Sequence, residues 1–273
     1  HWRPDCRGRA ASAGATSWRP ITAAMIETYD FAARLRAGRR LIGTIVTLDA
    51  PEVVEILSAA GFDWLFIDTE HAPLDAAAAQ RLLQAARMPC VVRVPDGAAA
   101  TLKKALDAGA AGVVVPMVNT AAQAEAVVEA AKYPPRGRRG VGIVRAQGYG
   151  AAFAEYVRRA NEATAVIVQC EDIRAVENIE SIVAVDGVDA IFVGPYDLSG
   201  SMGRLGEVDH LDVLAAIEGV RLACERARKP LGIYTGAPEA ARRFLAQGYS
   251  LVAVGADTML LGGAARQLLA ALH

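Results

Sequence analysis

Eight apolar runs, each followed by a helix-patterned segment, predict an α/β chain whose parallel strands close into a barrel. Three observations carry this. The runs are near-continuous rather than alternating, as strands buried on both faces of a parallel sheet must be. The eight strand–helix units fit into about 230 residues with no linker between them, which suits one (β/α)8 TIM barrel of roughly the usual size. No Gly-x-Gly-x-x-Gly follows the first strand, which counts against an open dinucleotide-binding sheet.

Each element has its own signal. Leu41-Ile42-Gly43-Thr44-Ile45-Val46 is the first strand, and Pro51 at a first-turn position opens the helix to Ala60. Gly61 punctuates before the strand Trp64 to Asp68, and an Ala/Leu helix covers Asp75 to Arg87. Val91 to Val94 is the third strand, and the helix Ala98 to Asp107 is closed by Gly109. Gly112 to Val118 is the fourth strand, and Thr120 caps the helix to Lys132. Tyr133-Pro134-Pro135-Arg136-Gly137-Arg138-Arg139-Gly140-Val141-Gly142 then interrupts, too rich in Pro and Gly for regular structure, with an extra helix over Ala151 to Asn161. The alternation resumes with strands Ala165 to Cys170, Ala190 to Gly194, Leu231 to Tyr234 and Leu251 to Gly255. Their helices are Ala175 to Val185, Leu211 to Arg228, Pro238 to Gln247 and Leu261 to Leu272.

Composition excludes several functions. Lys+Arg 29 against Asp+Glu 30, a formal net charge of -1, leaves no basic field for nucleic acid or a membrane surface. No apolar run approaches the roughly 20 residues of a spanning helix. Cys6, Cys90, Cys170 and Cys224 lack metal-type spacing and read as free thiols of a reducing compartment, the cytoplasm. Residues 1–24 are Arg-rich and aperiodic without a signal-like apolar core. They read as an extension upstream of Met25 in preference to a transit peptide, leaving residues 25–273 as a single domain.

Barrel enzymes carry their chemistry at the C-terminal ends of the strands. There this chain places Asp68, Glu70 and His71 after strand two, Arg93 late in strand three, Gln169 and Glu171 at strand five, Asp197 after strand six and Asp257 after strand eight. The opposite ends show mostly Gly, Ala and an occasional Asp (Asp63, Asp189), with Lys229 before strand seven, so the asymmetry points to an enzyme. Glu171 and Asp197, on adjacent strands, describe a hard-cation site completed by water, or else each caps the helix that follows. Arg93 in an apolar strand suits bidentate capture of a carboxylate or phosphate, or a structural bridge to Asp68 or Glu70. His71 is a general base, or an ordinary surface histidine beside Pro73. No lysine lies within a strand, which argues against a Schiff base and for a metal as electron sink in any carbon–carbon chemistry.

Gly61-Phe62-Asp63-Trp64 running into Asp68-Thr69-Glu70-His71-Ala72-Pro73 resembles the signature of the HpcH/HpaI aldolase family. The likeness continues through Val92-Arg93-Val94-Pro95, Leu106-Asp107-Ala108-Gly109, Val115-Pro116-Met117-Val118, Tyr133-Pro134-Pro135-Arg136-Gly137, Val168-Gln169-Cys170-Glu171 and Val193-Gly194-Pro195-Tyr196-Asp197-Leu198-Ser199. It covers Phe31 to the C-terminus in order. These are class II pyruvate aldolases on a phosphoenolpyruvate/pyruvate-type barrel, including 4-hydroxy-2-oxoheptanedioate and 2-dehydro-3-deoxyglucarate aldolases.

The resemblance implies a Mg²⁺, Mn²⁺ or Co²⁺ ion on Glu171 and Asp197, with Gln169 beside it, and a substrate 2-oxo acid that yields pyruvate and an aldehyde through a metal-stabilised enolate. It implies that Arg93 steadies the enolate oxygen and that backbone amides around Gly194, Pro195 and Tyr196 hold the carboxylate. His71, coupled to Asp107, would move the proton at the C4 hydroxyl, with Asp68 and Glu70 orienting Arg93 or bound water. Asp107 ends a helix, so a neighbouring subunit would complete the site in a trimer or hexamer, the last helix with its Leu260, Leu261, Leu268, Leu269 and Leu272 exchanging between partners. The chain departs from the family at Thr69, at Asp172 beside Glu171, and in the stretch around Arg145, which would reach a distal substrate carboxylate. A citrate-lyase-β-like enzyme acting on CoA substrates, drawing on Arg136, Arg138 and Arg139, and a non-catalytic binding barrel are the rival readings.

Overall fold

The structure, a computed structural model, describes residues 30–272. Eight parallel strands close into a barrel in sequence order: β1 (Leu41–Val46), β2 (Trp64–Asp68), β3 (Cys90–Arg93), β4 (Gly112–Val115), β5 (Ala165–Cys170), β6 (Ala190–Val193), β7 (Leu231–Thr235) and β8 (Leu251–Ala256). The helices between them are α1 (Pro51–Ala60), α2 (Ala76–Ala85), α3 (Ala99–Asp107), α4 (Ala121–Ala131), α5 (Phe153–Ala163), α6 (Ile173–Glu177), α7 (Ile179–Val183), α8 (Pro195–Ser201), α9 (Leu211–Ala227), α10 (Pro238–Ala246) and α11 (Asp257–Ala270). Thr120 and Gln123 form a full capping box at the start of α4.

Three elements differ from the sequence expectation. The helix after β5 is broken in two at Asn178, whose side-chain amide reaches out to the Asn119 and Arg174 carbonyls. A short helix, α8, begins at Pro195 directly after β6, where proline favours a first helical turn. And α11 begins at Asp257, without a loop, because that side chain accepts hydrogen bonds across the barrel mouth, as described below.

The continuous apolar runs serve two cores. Residues facing out from the strands, such as Val92, Val113, Val168, Val193 and Ile233, pack against the helices. Residues facing in fill the barrel with an aromatic column. Phe31, Trp64, Phe66 and Phe192 follow one another at centroid spacings of 6.0, 5.7 and 5.6 Å. Each such buried ring contributes roughly 2–3 kcal/mol of burial free energy. Gly43 makes room for the column, since a Cβ there would sit 2.7 Å from the Trp64 ring.

The floor is closed by a helical stretch within residues 30–36. It buries Phe31, Ala32 and Leu35, and is tied by Arg34 to Asp63 at 2.7 Å and by Arg36 to Asp189 at 2.6 Å. The two acids at the N-terminal strand ends are therefore structural. Cys90, Cys170 and Cys224 are free and buried, and Cys6 and residues 1–24 lie outside the described residues. Among the described residues no helix is long and apolar enough to cross a membrane.

The interruption between α4 and β5 belongs to the floor side, because it connects the end of a descending helix to the start of a strand. On the far side of the molecule, α11 buries only Asp257 on its own chain. Leu260, Leu261, Leu268, Leu269 and the following Leu272 stay exposed.

Candidate active site

The upper end of the aromatic column carries the polar residues. Arg93 ends β3 with its guanidinium 5.4 Å from the Phe66 ring centroid, and Asp68, paired with it across the β2–β3 register, receives it in a two-point bond. Arg93 Nε donates to Asp68 Oδ1 at 2.9 Å, and Arg93 Nη2 donates to Oδ2 at 2.6 Å. The same Oδ1 accepts the Glu70 and His71 backbone N–H groups at 3.1 and 3.3 Å. Asp68 thus shapes the loop that presents both residues. Burial opposes its charge, but the bond and charge of Arg93 together with the Glu70 and His71 amides outweigh it and hold the Asp68 carboxyl below its ordinary range.

Arg93 also stands 3.2 Å from Glu70 Oε2, which in turn is 3.7 Å from His71 Nε2. Burial pushes Glu70 up despite Arg93. The His71 ring is largely exposed at the mouth. Thr69 spends its hydroxyl on the Arg93 carbonyl at 2.6 Å and so ties the loop after β2 to the end of β3.

Across the barrel, Glu171 follows β5 and is buried. Its Oε1 accepts the Met117 N–H at 2.8 Å, and its Oε2 accepts a short bond from Gln169 Nε2. Burial first, then the nearby charges of Asp197 and Glu70, push the Glu171 carboxyl up to about 7. Gly194 lies against this pair because nothing else fits: an added Cβ would be 2.7 Å from Glu171 Oε2 and 2.9 Å from Gln169 Nε2. Asp197 is exposed in the first turn of α8.

The donor chemistry suits a divalent cation. Asp68, Glu70 and Glu171 gather around one guanidinium that is already committed, Asp197 stands near Glu70 and Glu171, and Gln169 Oε1 is buried without a partner. Among the described residues no three His, Cys, Asp or Glu side chains converge as a closed cage, so two carboxylates would leave positions for substrate and water.

Several expected residues fall elsewhere. Of the amides from Gly194 to Tyr196, Gly194 N–H is taken by the Cys170 carbonyl at 3.1 Å and Pro195 has none. The Tyr196 N–H at the start of α8 remains. Asp172 does not join Glu171; it caps α6 and is clamped by Arg174 at 2.9–3.0 Å. Asp257 is structural, accepting Thr47 N–H, Thr47 Oγ1 and Leu48 N–H at 2.7–2.9 Å and so fastening the loop after β1. Arg145 donates to the Ala108 and Leu83 carbonyls at the floor-side ends of α3 and α2, and does not reach the mouth of its own chain. Asp107 also lies at the floor side, bonded to Arg139 at 2.6 Å. It does not meet His71 within one chain.

Two groups were not singled out from sequence. The Met117 N–H is aimed by a positive φ of 55°, for which Val-Pro-Met gives no local signal beyond the proline. Tyr234 faces into the barrel beside Ala253 and offers its hydroxyl to Met259 Sδ at 3.4 Å. A search for charges at strand ends passes over it, although it is the one polar side chain before Thr235 in β7.

The sequence profile of the family described as HpcH/HpaI aldolase/citrate lyase matches residues 41–264. The chain is 43% identical over 248 residues to a hydroxypyruvate/pyruvate aldolase of Cupriavidus necator, covering 89% of this chain and 92% of that one. It is 42% identical over 241 residues to a 4-hydroxy-2-oxo-heptane-1,7-dioate aldolase of Klebsiella pneumoniae, covering 86% and 91%. A crystal structure of a family protein from Burkholderia cenocepacia superposes with a TM-score of 0.86 at 39% identity, over 89% of this chain and 99% of that one. The chain belongs to the HpcH/HpaI aldolase/citrate lyase family and is a carbon–carbon lyase of the aldolase type.

Proposed function

We propose that this lyase is divalent-metal-dependent and cleaves a 4-hydroxy-2-oxo acid reversibly to pyruvate and an aldehyde. The observation that carries this reading is the two-point Arg93–Asp68 pair facing the buried Glu171–Gln169 pair. It is a fixed cation opposite a carboxylate with surplus negative charge around it. Glu171 and Asp197 would hold Mg²⁺, Mn²⁺ or Co²⁺, which when bound would supply Lewis acidity to the keto group of a 2-oxo acid.

The remaining steps are assigned to the chain's own residues. The Tyr196 N–H at the start of α8 orients the substrate carboxylate. His71 takes the proton of the C4 hydroxyl as the C3–C4 bond breaks, and the C4 carbon leaves as the aldehyde carbonyl. The bond electrons move towards the C2 oxygen, where Arg93 meets the growing negative charge without reorganising, because Asp68 already fixes it. A proton returned to C3 completes pyruvate.

His71 needs a partner that orients its imidazole. Asp107 fits that role only from a neighbouring subunit, so a homo-oligomer, trimer or hexamer, is part of the proposal. The uncovered apolar face of α11 supports it. His71→Ala is expected to slow aldol cleavage about a hundredfold or more while slowing deuterium exchange into the pyruvate methyl far less; equal losses in both reactions would remove the separate proton-transfer role.

The CoA-type alternative loses its basic residues. Arg136 pairs with Glu162 and Asp186 at 3.1 and 3.2 Å, Arg138 with Glu129, and Arg139 with Asp107, all on the floor side. The test of the proposed reaction is a pyruvate-release screen over 4-hydroxy-2-oxo acids of graded tail length and charge. At least one is expected to turn over, and silence across the series would reject the reading.

A further inference from the structure

The knot from Tyr133 to Gly142 takes no part in the site of its own chain, yet it is built around an expensive group. The Arg139 side chain is 0% exposed, and a guanidinium in that position must be paired to be tolerated. Among the described residues its single charged partner is Asp107: Nη2 donates to Oδ1 at 2.6 Å and also to the Tyr156 hydroxyl at 3.2 Å. The guanidinium carbon lies 4.6 Å from the Tyr133 ring centroid and 5.9 Å from that of Tyr156. Nε and Nη1 find no hydrogen-bond partner among the described residues, nor does the buried Tyr133 hydroxyl.

Arg145 stitches backbone, since both of its bonds go to main-chain carbonyls. Arg139 instead is sealed between two aromatic rings and directs its strong bond at one carboxylate.

The mounting is rigid. The backbone of the knot is pinned by Arg138 N–H to the Glu129 carbonyl at 2.7 Å and Arg139 N–H to the Lys132 carbonyl at 2.9 Å. Gly137 sits where a Cβ would strike both carbonyls. Lys132 Nζ, itself buried, donates to the Asn161 and Thr164 carbonyls at 2.7 and 2.6 Å and so fixes the end of α5, which carries Tyr156. The carboxylate held by this clamp belongs to the last residue of α3 and keeps 18% of its side-chain exposure, with no donor among the described residues on Oδ2. The segment that continues the knot exposes Val141, Ile143, Tyr149 and Phe153.

We propose that Arg139 is a positioning residue that fixes the Asp107 carboxylate in one orientation at the subunit surface, aimed at the His71 imidazole of a second copy of this chain. The inference rests on the reading that Asp107 serves a neighbouring His71, and adds the device that aims it.

The test uses the full-length assembled enzyme and the best substrate of the screen above. Arg139→Met, Arg139→Lys, Asp107→Asn and the double variant Asp107→Asn with Arg139→Met are compared by steady-state kinetics, with assembly state followed by light scattering. Arg139→Met is expected to lower kcat by about tenfold to a hundredfold through misplacement of the carboxylate, with KM little changed, and Arg139→Lys to recover part of the loss. In the Asp107→Asn background the Arg139→Met change is expected to add less than about twofold, as for two residues acting through one group. Independent, multiplying losses in the double variant, or a kcat unchanged in Arg139→Met, would overturn the proposal. An Asp107→Asn enzyme with wild-type kcat would instead reject the premise about Asp107. Should Arg139→Met fail to assemble, Tyr156→Phe removes only the hydroxyl at 3.2 Å. It must then lower kcat in the wild-type background and not in the Asp107→Asn background; equal effects in both would also overturn it.

Discussion

Arg93→Ala is expected to lower kcat/KM for pyruvate formation by about a thousandfold, the upper end for loss of a fixed donor facing a developing oxyanion. The size follows from the pairing. Arg93 is held at two points by Asp68 and stacked over Phe66, so its charge is in place before the reaction begins. Neither Arg145 nor the arginines of the knot offer a second cation there, since they all face the floor. Removing it also leaves Asp68 buried and unpaired, a loss of about 3–5 kcal/mol in stability that a melting curve would register. Arg93→Lys separates the two effects. It keeps a charge near Asp68 but not the planar fork, so it should melt close to the wild type yet still lose most activity. An Arg93→Ala enzyme retaining a tenth of its activity would contradict the assigned role.

Glu171→Gln is the second large effect: activity is expected to fall by about a thousandfold, with Mn²⁺ binding weakened at least about a hundredfold. The substitution keeps the shape of the side chain and its bond from the Met117 N–H, removes the charge, and turns the oxygen that accepts from Gln169 Nε2 into an amide nitrogen, which the unpartnered Gln169 Oε1 meets once that amide turns over. Its stability effect has the opposite sign. Burial and the neighbouring acids raise the Glu171 carboxyl to about 7, so its charged form is disfavoured in the folded protein, and folding stability from this group declines as pH rises from its ordinary value of 4.5 towards 7. The metal-free Glu171→Gln protein is therefore expected to melt at the same temperature as the wild type or higher at neutral pH. Calorimetric titration with Mn²⁺ together with a melting curve checks both parts. Unchanged Mn²⁺ affinity would remove Glu171 from the cation site.

Much of this architecture was legible in the sequence because burial on both faces writes a plain signal. Val91-Val92 and Ala190-Ile191-Phe192-Val193 have no polar alternation, and each is a barrel strand. Arg93 and Glu171 were legible for the same reason: a charge next to such a run needs a partner or a function. Asp257 shows the limit of that rule. It satisfies the same sequence test, but the amides it serves at Thr47 and Leu48 lie about two hundred residues away in the chain, closing the barrel seam from β8 to β1.

Backbone geometry was not legible at all. That Met117 N–H aims at Glu171, that Gly194 gives way to the same carboxylate, and that the Gly194 N–H is already spent on Cys170 follow from a positive φ and from strand register. Arg145 was misplaced relative to the mouth of its own chain because its distance from it depends on which end of the barrel the Pro/Gly-rich knot folds against, whereas Asp107 ends a helix and lies away from its own mouth, as its place in the sequence implied.

The central claim is that this chain releases pyruvate from a 4-hydroxy-2-oxo acid only with a divalent ion on its carboxylates. The most direct measurement is coupled pyruvate release after exhaustive EDTA treatment and again after addition of Mg²⁺, Mn²⁺ or Co²⁺. The account predicts a fall to background and recovery with at least one of the three ions; full activity in the chelated enzyme would contradict it.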